Sequence, residues 1–126
     1  MSRDCLNQIN SGRSIRRFKS EPIDEEDFLD IVKTGFRAPS AGNRQPWRVV
    51  IVKDQKTKNQ LSDAAGGQTF IARSPVLFVV CAVPEESAER YGERGSSLYV
   101  LQDTAALTLN ILQAAQLLGY GACWIG

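Results

Sequence analysis

Residues 38–52 read APSAGNRQPWRVVIV, and two kinds of chain meet in them. The closing WRVVIV (47–52) is a run of branched and aromatic side chains that reads as a strand, and its consecutive apolar residues predict burial on both faces. The opening APSAGNRQPW (38–47) is a loop. Pro39 disfavours helical backbone at Ala38, so any preceding helix ends there. Gly42 permits a tight or left-handed turn, Pro39 and Pro46 stiffen the two ends, and Trp47 supplies a flat apolar anchor. Ser40, Asn43 and Gln45 add polar groups. Such a loop suits a planar ligand whose edge needs hydrogen bonds. It suits equally well an ordinary helix-to-strand connection in which Ser40 and Asn43 bond their own backbone.

Working outward, PIDEEDFLDIVKTGF (22–36) has the signals of a helix. Asp24 stands at the cap, Asp27 follows three residues later, and Ile23 can staple against Phe28. Phe28, Ile31, Val32 and Gly35 share one face. Further upstream, residues 3–10 form a short, weakly periodic helix, and residues 11–20 carry no helical stripe. Downstream, KDQKTKNQLSDAAGG reads as a turn and a solvent-facing helix ending at Gly66–Gly67. QTFIARS then leads into VLFVVCAV (76–83), a second buried strand. PEESAERYGERGS (84–96) reads as a polar, mobile excursion. The longest helix spans 97–118, about 33 Å at 1.5 Å per residue, and GYGACWIG (119–126) offers a third strand in its last residues. Buried strands flanked by amphipathic helices predict α/β or α+β layering in one domain of 126 residues.

The long helix is apolar around most of its circumference. Leu98, Leu101, Ala105, Leu109, Leu112 and Ala115 cover one side, while Ala106, Leu107, Ile111, Ala114, Leu117 and Leu118 cover much of the rest. A chain this short cannot easily bury both sides, so a subunit interface is the expected sink; the alternative is that the helix runs through the middle of the core.

Composition excludes several functions. The net charge of +1 gives no bulk attraction to nucleic acid or acidic membrane, and Asn110, Gln113 and Gln116 interrupt the longest apolar stretch, 104–118. The first residues lack a signal peptide's apolar core, and three scattered cysteines make no disulfide framework, so a reducing cytoplasm is expected. There is no histidine, which removes HExxH zinc sites, Ser-His-Asp and Cys-His triads and the usual neutral-pH base. An enzyme of this composition would borrow its chemistry from a cofactor.

The candidate binding residues start with Arg13, Ser14 and Arg16, a hydroxyl and two guanidiniums on a non-helical segment. Guanidinium forks suit phosphate and the carbonyl edge of a heteroaromatic ring. The competing reading is a solvated patch, RSIRRFK (13–19), paired with the acids of EPIDEED (21–27). GYGACWIG lacks the spacing of a dinucleotide fingerprint and follows a helix, so its glycines serve a helix end and a turn. Asp103 and Asn110 share a side of the long helix and tie a dimer seam or face a ligand. Cys81 and Cys123 have no neighbouring base and read as small hydrophobes.

Taken in order, these pieces resemble the nitroreductase family of flavin enzymes. RSIRRFKSEPI is similar to that family's Arg-Ser-x-Arg-x-Phe opening, and APSAGNRQPWRVVIV to its characteristic loop and strand. FIARSPVLFVVCA, DTAALTLNILQAAQLLGYG and ACWIG continue the resemblance through nearly the whole chain. It implies an α+β fold: a central, mostly antiparallel sheet flanked by helices, with a long helix at a dimer interface. It also implies non-covalent FMN at two sites shared between subunits, reduced by NADH or NADPH and oxidised by nitroaromatics, quinones or other small acceptors.

Carried over by motif, Arg13, Ser14 and Arg16 would reach the ribityl-phosphate and the pyrimidine side of the flavin. Pro39, Ser40, Ala41 and Asn43 would line the isoalloxazine from the other subunit, and the backbone at Ile125 and Gly126 would approach N5. Hydride transfer to N5 needs no protein nucleophile, which agrees with the absence of histidine. No catalytic side chain and no metal ligand is expected. Arg16, with Arg13 second, is the candidate cation beside the ring edge that gains charge on reduction.

The chain departs from the family pattern in three places. It ends at WIG, before a segment that in the family carries further strand, a partner-embracing tail and a basic phosphate contact; losing that contact would weaken flavin binding by about tenfold to a hundredfold. Gly12 stands where a basic residue is common. The 84–96 excursion is short, which suggests an open pocket. A redox-silent flavin-binding or structural dimer is therefore the alternative reading. A nucleic-acid module has only RSIRRFK in its favour.

Overall fold

The computed structural model describes residues 2–126. Five α-helices and two strands follow in the order α1 (Ser2–Asn10), α2 (Glu25–Gly35), β1 (Trp47–Val52), α3 (Gln55–Ala64), β2 (Leu77–Ala82), α4 (Pro84–Arg94) and α5 (Val100–Leu117). Short 3₁₀ turns at Ala41–Asn43 and Thr69–Arg73 and a π-helical segment at Gly95–Tyr99 link them. The class is α+β. β1 and β2 pair antiparallel, with Trp47 opposite Ala82 and Val52 opposite Leu77.

The core forms where α2, α5 and β1 meet. Ile31 of α2, Ala38 and Trp47 around the loop, and Leu107, Ile111, Ala114 and Ala115 of α5 make one buried cluster. Phe28, Ile31, Val32 and Gly35 face inward from α2, as the periodicity predicts. Gly35 allows the two helices to approach closely, because a Cβ there would stand 2.7 Å from Ile111 Cγ1. On α5, Val100, Asp103, Leu107, Ile111 and Ala114 form the inward stripe at helical spacing. The opposite side is uncovered: Leu98, Leu101 and Leu109 are all exposed, Leu101 by 60%.

Four expectations need correction. The strands are not buried on both faces. On β1, Trp47 is buried and Val49 and Ile51 are half-buried on one face, while Arg48 and Val50 on the other are exposed; Val52, on that second face, is buried only at the strand's end. Residues 84–96 are not a loose excursion. Pro84 opens α4, Glu85 and Glu86 favour its N-terminus, and ion pairs from Arg44 to Glu89 and Arg48 to Glu86 fasten it to the loop and β1. The long helix is regular only from Val100, since Gly95–Tyr99 winds as a π-helix. Finally, residues 119–126 form no third strand. Their recorded link to residues 11–16 is one backbone bond, from Ile15 N–H to the Ala122 carbonyl at 2.9 Å, which is too little for a ladder.

Asp24 occupies the cap position of α2 without a side-chain bond to its backbone. Asp54 does cap α3, its carboxylate accepting from the Thr57 N–H at 2.8 Å. No helix among the described residues is long and apolar enough to cross a membrane.

Candidate functional site

The N-terminal segment and the chain's last residues lie side by side against the second half of α5. The Ile15–Ala122 bond joins them, and Gly121 packs tightly on Ile15, whose side-chain carbons lie 3.0 Å from where a Cβ would stand. Gln116 of α5 holds the end of α1, donating to the Gln8 carbonyl. Gly12 passes directly over Gln116, where any Cβ would collide with its Oε1 at 2.4 Å. That atom is the end of a flexible side chain that can move aside, so the contact does not by itself exclude a larger residue at Gly12.

Between these segments lies a groove of about 570 Å³, within the range of small-molecule clefts. Arg13 and Ser14 supply its polar wall, and Leu109, Leu112 and Trp124 its apolar one. Ile125, half-buried, and exposed Gly126 follow Trp124 directly. Arg16 is exposed on the same segment but does not line the groove. Among the described residues, neither Arg13 nor Arg16 is in an ion pair, and none of the acids of 21–27 is. The self-neutralised patch therefore does not form.

Those acids have other work. Asp27 accepts a hydrogen bond from the Tyr120 hydroxyl, tying α2 to the chain's final segment beside the groove. The carboxylate, chiefly through that bond, pushes the Tyr120 hydroxyl up from 10.0 to about 12. The folded state therefore holds this proton more tightly than the unfolded chain. The resulting stability is complete below pH 10 and is lost as pH rises toward about 12. Urea unfolding across that window is expected to show a steeper loss in the native chain than in Tyr120→Phe.

The other candidates lie elsewhere. The turn Ala41–Asn43 is held together internally: the Asn43 N–H bonds to the Ser40 carbonyl at 2.9 Å, and Ser40 Oγ accepts from the Gln45 N–H at 3.0 Å. Ser40 therefore serves its own loop, as the plain connection reading expects. Asn43 Oδ1 accepts from Gln45 Nε2 at 3.0 Å, and its own amide N–H₂ has no partner among the described residues. Pro39 and Asn43 are exposed, and Ser40 and Ala41 half-buried. Gly42, at φ +59°, has Tyr91 Oη 2.5 Å from where a Cβ would stand, so both conformation and space demand glycine.

The structure does not bring this turn to the groove. The Ala41 N–H bonds to Asp103 Oδ1 at 3.1 Å, near the start of α5. Leu109, Leu112 and Gln116, which line the groove, follow about 9–20 Å further along the helix at 1.5 Å per residue. The turn and the groove thus lie apart along one helix. Asp103 is 6% exposed, and burial pushes its carboxyl up while the Ala41 bond pulls it partly back. Its contact with Ala41 was not legible in the sequence, where the two lie far apart.

The profile of the "Nitroreductase family" matches residues 9–70 and 60–126. An Archaeoglobus fulgidus protein provisionally named NADH dehydrogenase/NAD(P)H nitroreductase is 38% identical over 123 residues, covering 98% of this chain and 67% of its own. A Bacillus subtilis FMN reductase (NADPH) is 30% identical over 98% of this chain and 54% of its own. Nitroreductase A of Vibrio parahaemolyticus superposes with a TM-score of 0.86 at 29% identity, over 97% of this chain and 54% of its own. The chain thus spans about half to two thirds of the length of these relatives. A profile match from residue 9 to residue 126, with the same fold in solved relatives, places the chain in the nitroreductase family.

Proposed function

We propose that this chain forms the flavin-holding part of an FMN-dependent NAD(P)H oxidoreductase. It works as a homodimer and passes electrons to nitroaromatic, quinone or similar small acceptors. The observation that carries the reading is the separation of the turn and the groove along α5, beside an apolar helix face that its own chain leaves open. A second copy running antiparallel across Leu98, Leu101 and Leu109 would cover that face and lay its Pro39–Asn43 turn opposite the first copy's Arg13–Ser14 groove. The names of the relatives, an FMN reductase and a nitroreductase, supply the chemistry.

The residues fit the cofactor. Arg13, Ser14 and Arg16 offer uncommitted donors for a phosphate and a carbonyl edge. Leu109, Leu112 and Trp124 offer apolar surface, and the free amide of Asn43 a further donor. FMN, when bound, supplies the hydride chemistry between NAD(P)H and the acceptor. The protein's part is binding, orientation and charge. Arg13, on the groove wall, is the candidate for the cation that favours the reduced cofactor, and Arg16, exposed outside the groove, is second. The chain has no histidine, and protons for the acceptor come from water.

The visible absorption spectrum of purified protein, before and after anaerobic NADH or NADPH, tests this. A yellow protein that bleaches is expected. A yellow protein that does not bleach would favour a redox-silent flavin dimer. One that stays colourless in excess FMN would overturn the flavin reading.

A further inference from the structure

Asp103 is a carboxylate in a place where an apolar side chain would be less costly. It sits on the inward stripe of α5 between Val100 and Leu107, 6% exposed. Oδ1 accepts one hydrogen bond, from the Ala41 N–H at 3.1 Å, and Oδ2 has no partner among the described residues. Burying a charge costs more than one backbone bond returns. Among the described residues its carboxylate makes no hydrogen bond to its own helix.

What the bond secures is the turn. Gly42, Asn43 and Gln45 all have positive φ, at 59°, 53° and 52°. Asn43 and Gln45 are not glycines, so this conformation persists only where its surroundings over-determine it. From one side α4 restrains it, with Arg44 Nε donating to the Glu86 carbonyl at 3.1 Å and Tyr91 packed on Gly42. From the other side, the side-chain bond that joins the turn to α5 is the one to Asp103. The same helix also carries the groove wall.

We propose that Asp103 is a positioning residue, whose carboxylate latches the Ser40–Asn43 turn to α5 so that the turn meets the cofactor in a fixed geometry. The role in cofactor binding rests on the flavin reading above. The latch itself does not.

Three measurements test it. Asp103→Leu removes the acceptor but keeps the site filled, and Asp103→Asn keeps an acceptor oxygen; Asp103→Ala repeats the comparison should leucine overpack. FMN affinity, by flavin fluorescence titration, is expected to fall about tenfold in the Leu variant and to be largely restored in the Asn variant, the size of one lost hydrogen bond. Thermal stability of the Leu variant should not fall in parallel, which separates positioning from a structural role. In flavin-free protein, NMR hydrogen exchange at the Ala41 amide should quicken about tenfold in the Leu or Ala variant but not in Asn, with Leu107 and Ile111 still protected. Wild-type affinity in the Leu and Ala variants, or unchanged exchange at Ala41, would overturn the proposal. If the wild-type protein binds no FMN, the flavin reading fails, and the Ala41 exchange then decides the latch by itself.

Discussion

Replacing Arg13 and Arg16 together with alanine is expected to weaken FMN binding by about two to four orders of magnitude. Each charge-assisted bond contributes about 1.5–3 kcal/mol, and about 1.4 kcal/mol is a tenfold change. Both guanidiniums are exposed and outside any ion pair among the described residues, so the fold has little to lose. Stability should stay within about 0.5 kcal/mol of the parent. Lysine at both positions keeps the charge and loses the planar fork, so its affinity should fall between the two. Arg17, exposed on the same segment, is the control: alanine there should leave binding nearly unchanged. Fluorescence titration at two salt concentrations checks the set, because charge-assisted contacts at an exposed site weaken with screening. A double variant that still binds FMN like the parent would remove both arginines from the site.

Leu107→Ala is expected to cost about 2–5 kcal/mol and to lower Tm on the order of 10 °C. Leu107 is fully buried and touches the cluster that joins α2, β1 and α5. The cavity would not collapse easily. α2 and α5 already meet across Gly35, where a Cβ would be 2.7 Å from Ile111, so the helices have no slack to close the gap. The upper half of that range is therefore expected. Leu101→Ala removes the same atoms from the same helix, but from a side chain that is 60% exposed. In a dilute, monomeric chain it should cost less than about 0.5 kcal/mol. Its effect should instead be on self-association, measured by sedimentation. Urea unfolding at fixed protein concentration, without flavin, separates the two. Equal losses for both leucines would mean that the helix faces have been assigned wrongly.

Much of this protein is legible before any coordinates. The helical face of Phe28, Ile31, Val32 and Gly35 follows from side-chain periodicity, and the strand 47–52 from its run of branched residues, although the burial on both faces that such a run predicts does not form. The order of motifs from Arg13 to Gly126 carries the resemblance to the family whose profile matches residues 9–70 and 60–126, whereas the loop APSAGNRQPW alone suits a plain connection equally well. Local chemistry also points to Arg13, Ser14 and Arg16 as potential ligand residues; Arg13 and Ser14 line the groove and Arg16 does not.

What a window cannot show is which partner a polar group finds. Asp27 looks like part of a helix cap, yet the Tyr120 hydroxyl holds it from the far end of the chain. Residues 84–94 look like a polar loop until Arg44 and Arg48 supply the charges that hold them as α4. GYGACWIG has strand-like residues but no neighbour with which to form a ladder. Asp103 reads as a seam residue or a ligand contact, and its bond to Ala41 spans 62 positions. Periodicity is a property of neighbours in sequence and survives being read alone. Hydrogen bonds and ion pairs between distant segments exist only once the chain has closed on itself, and they decided where each half of the candidate site stands.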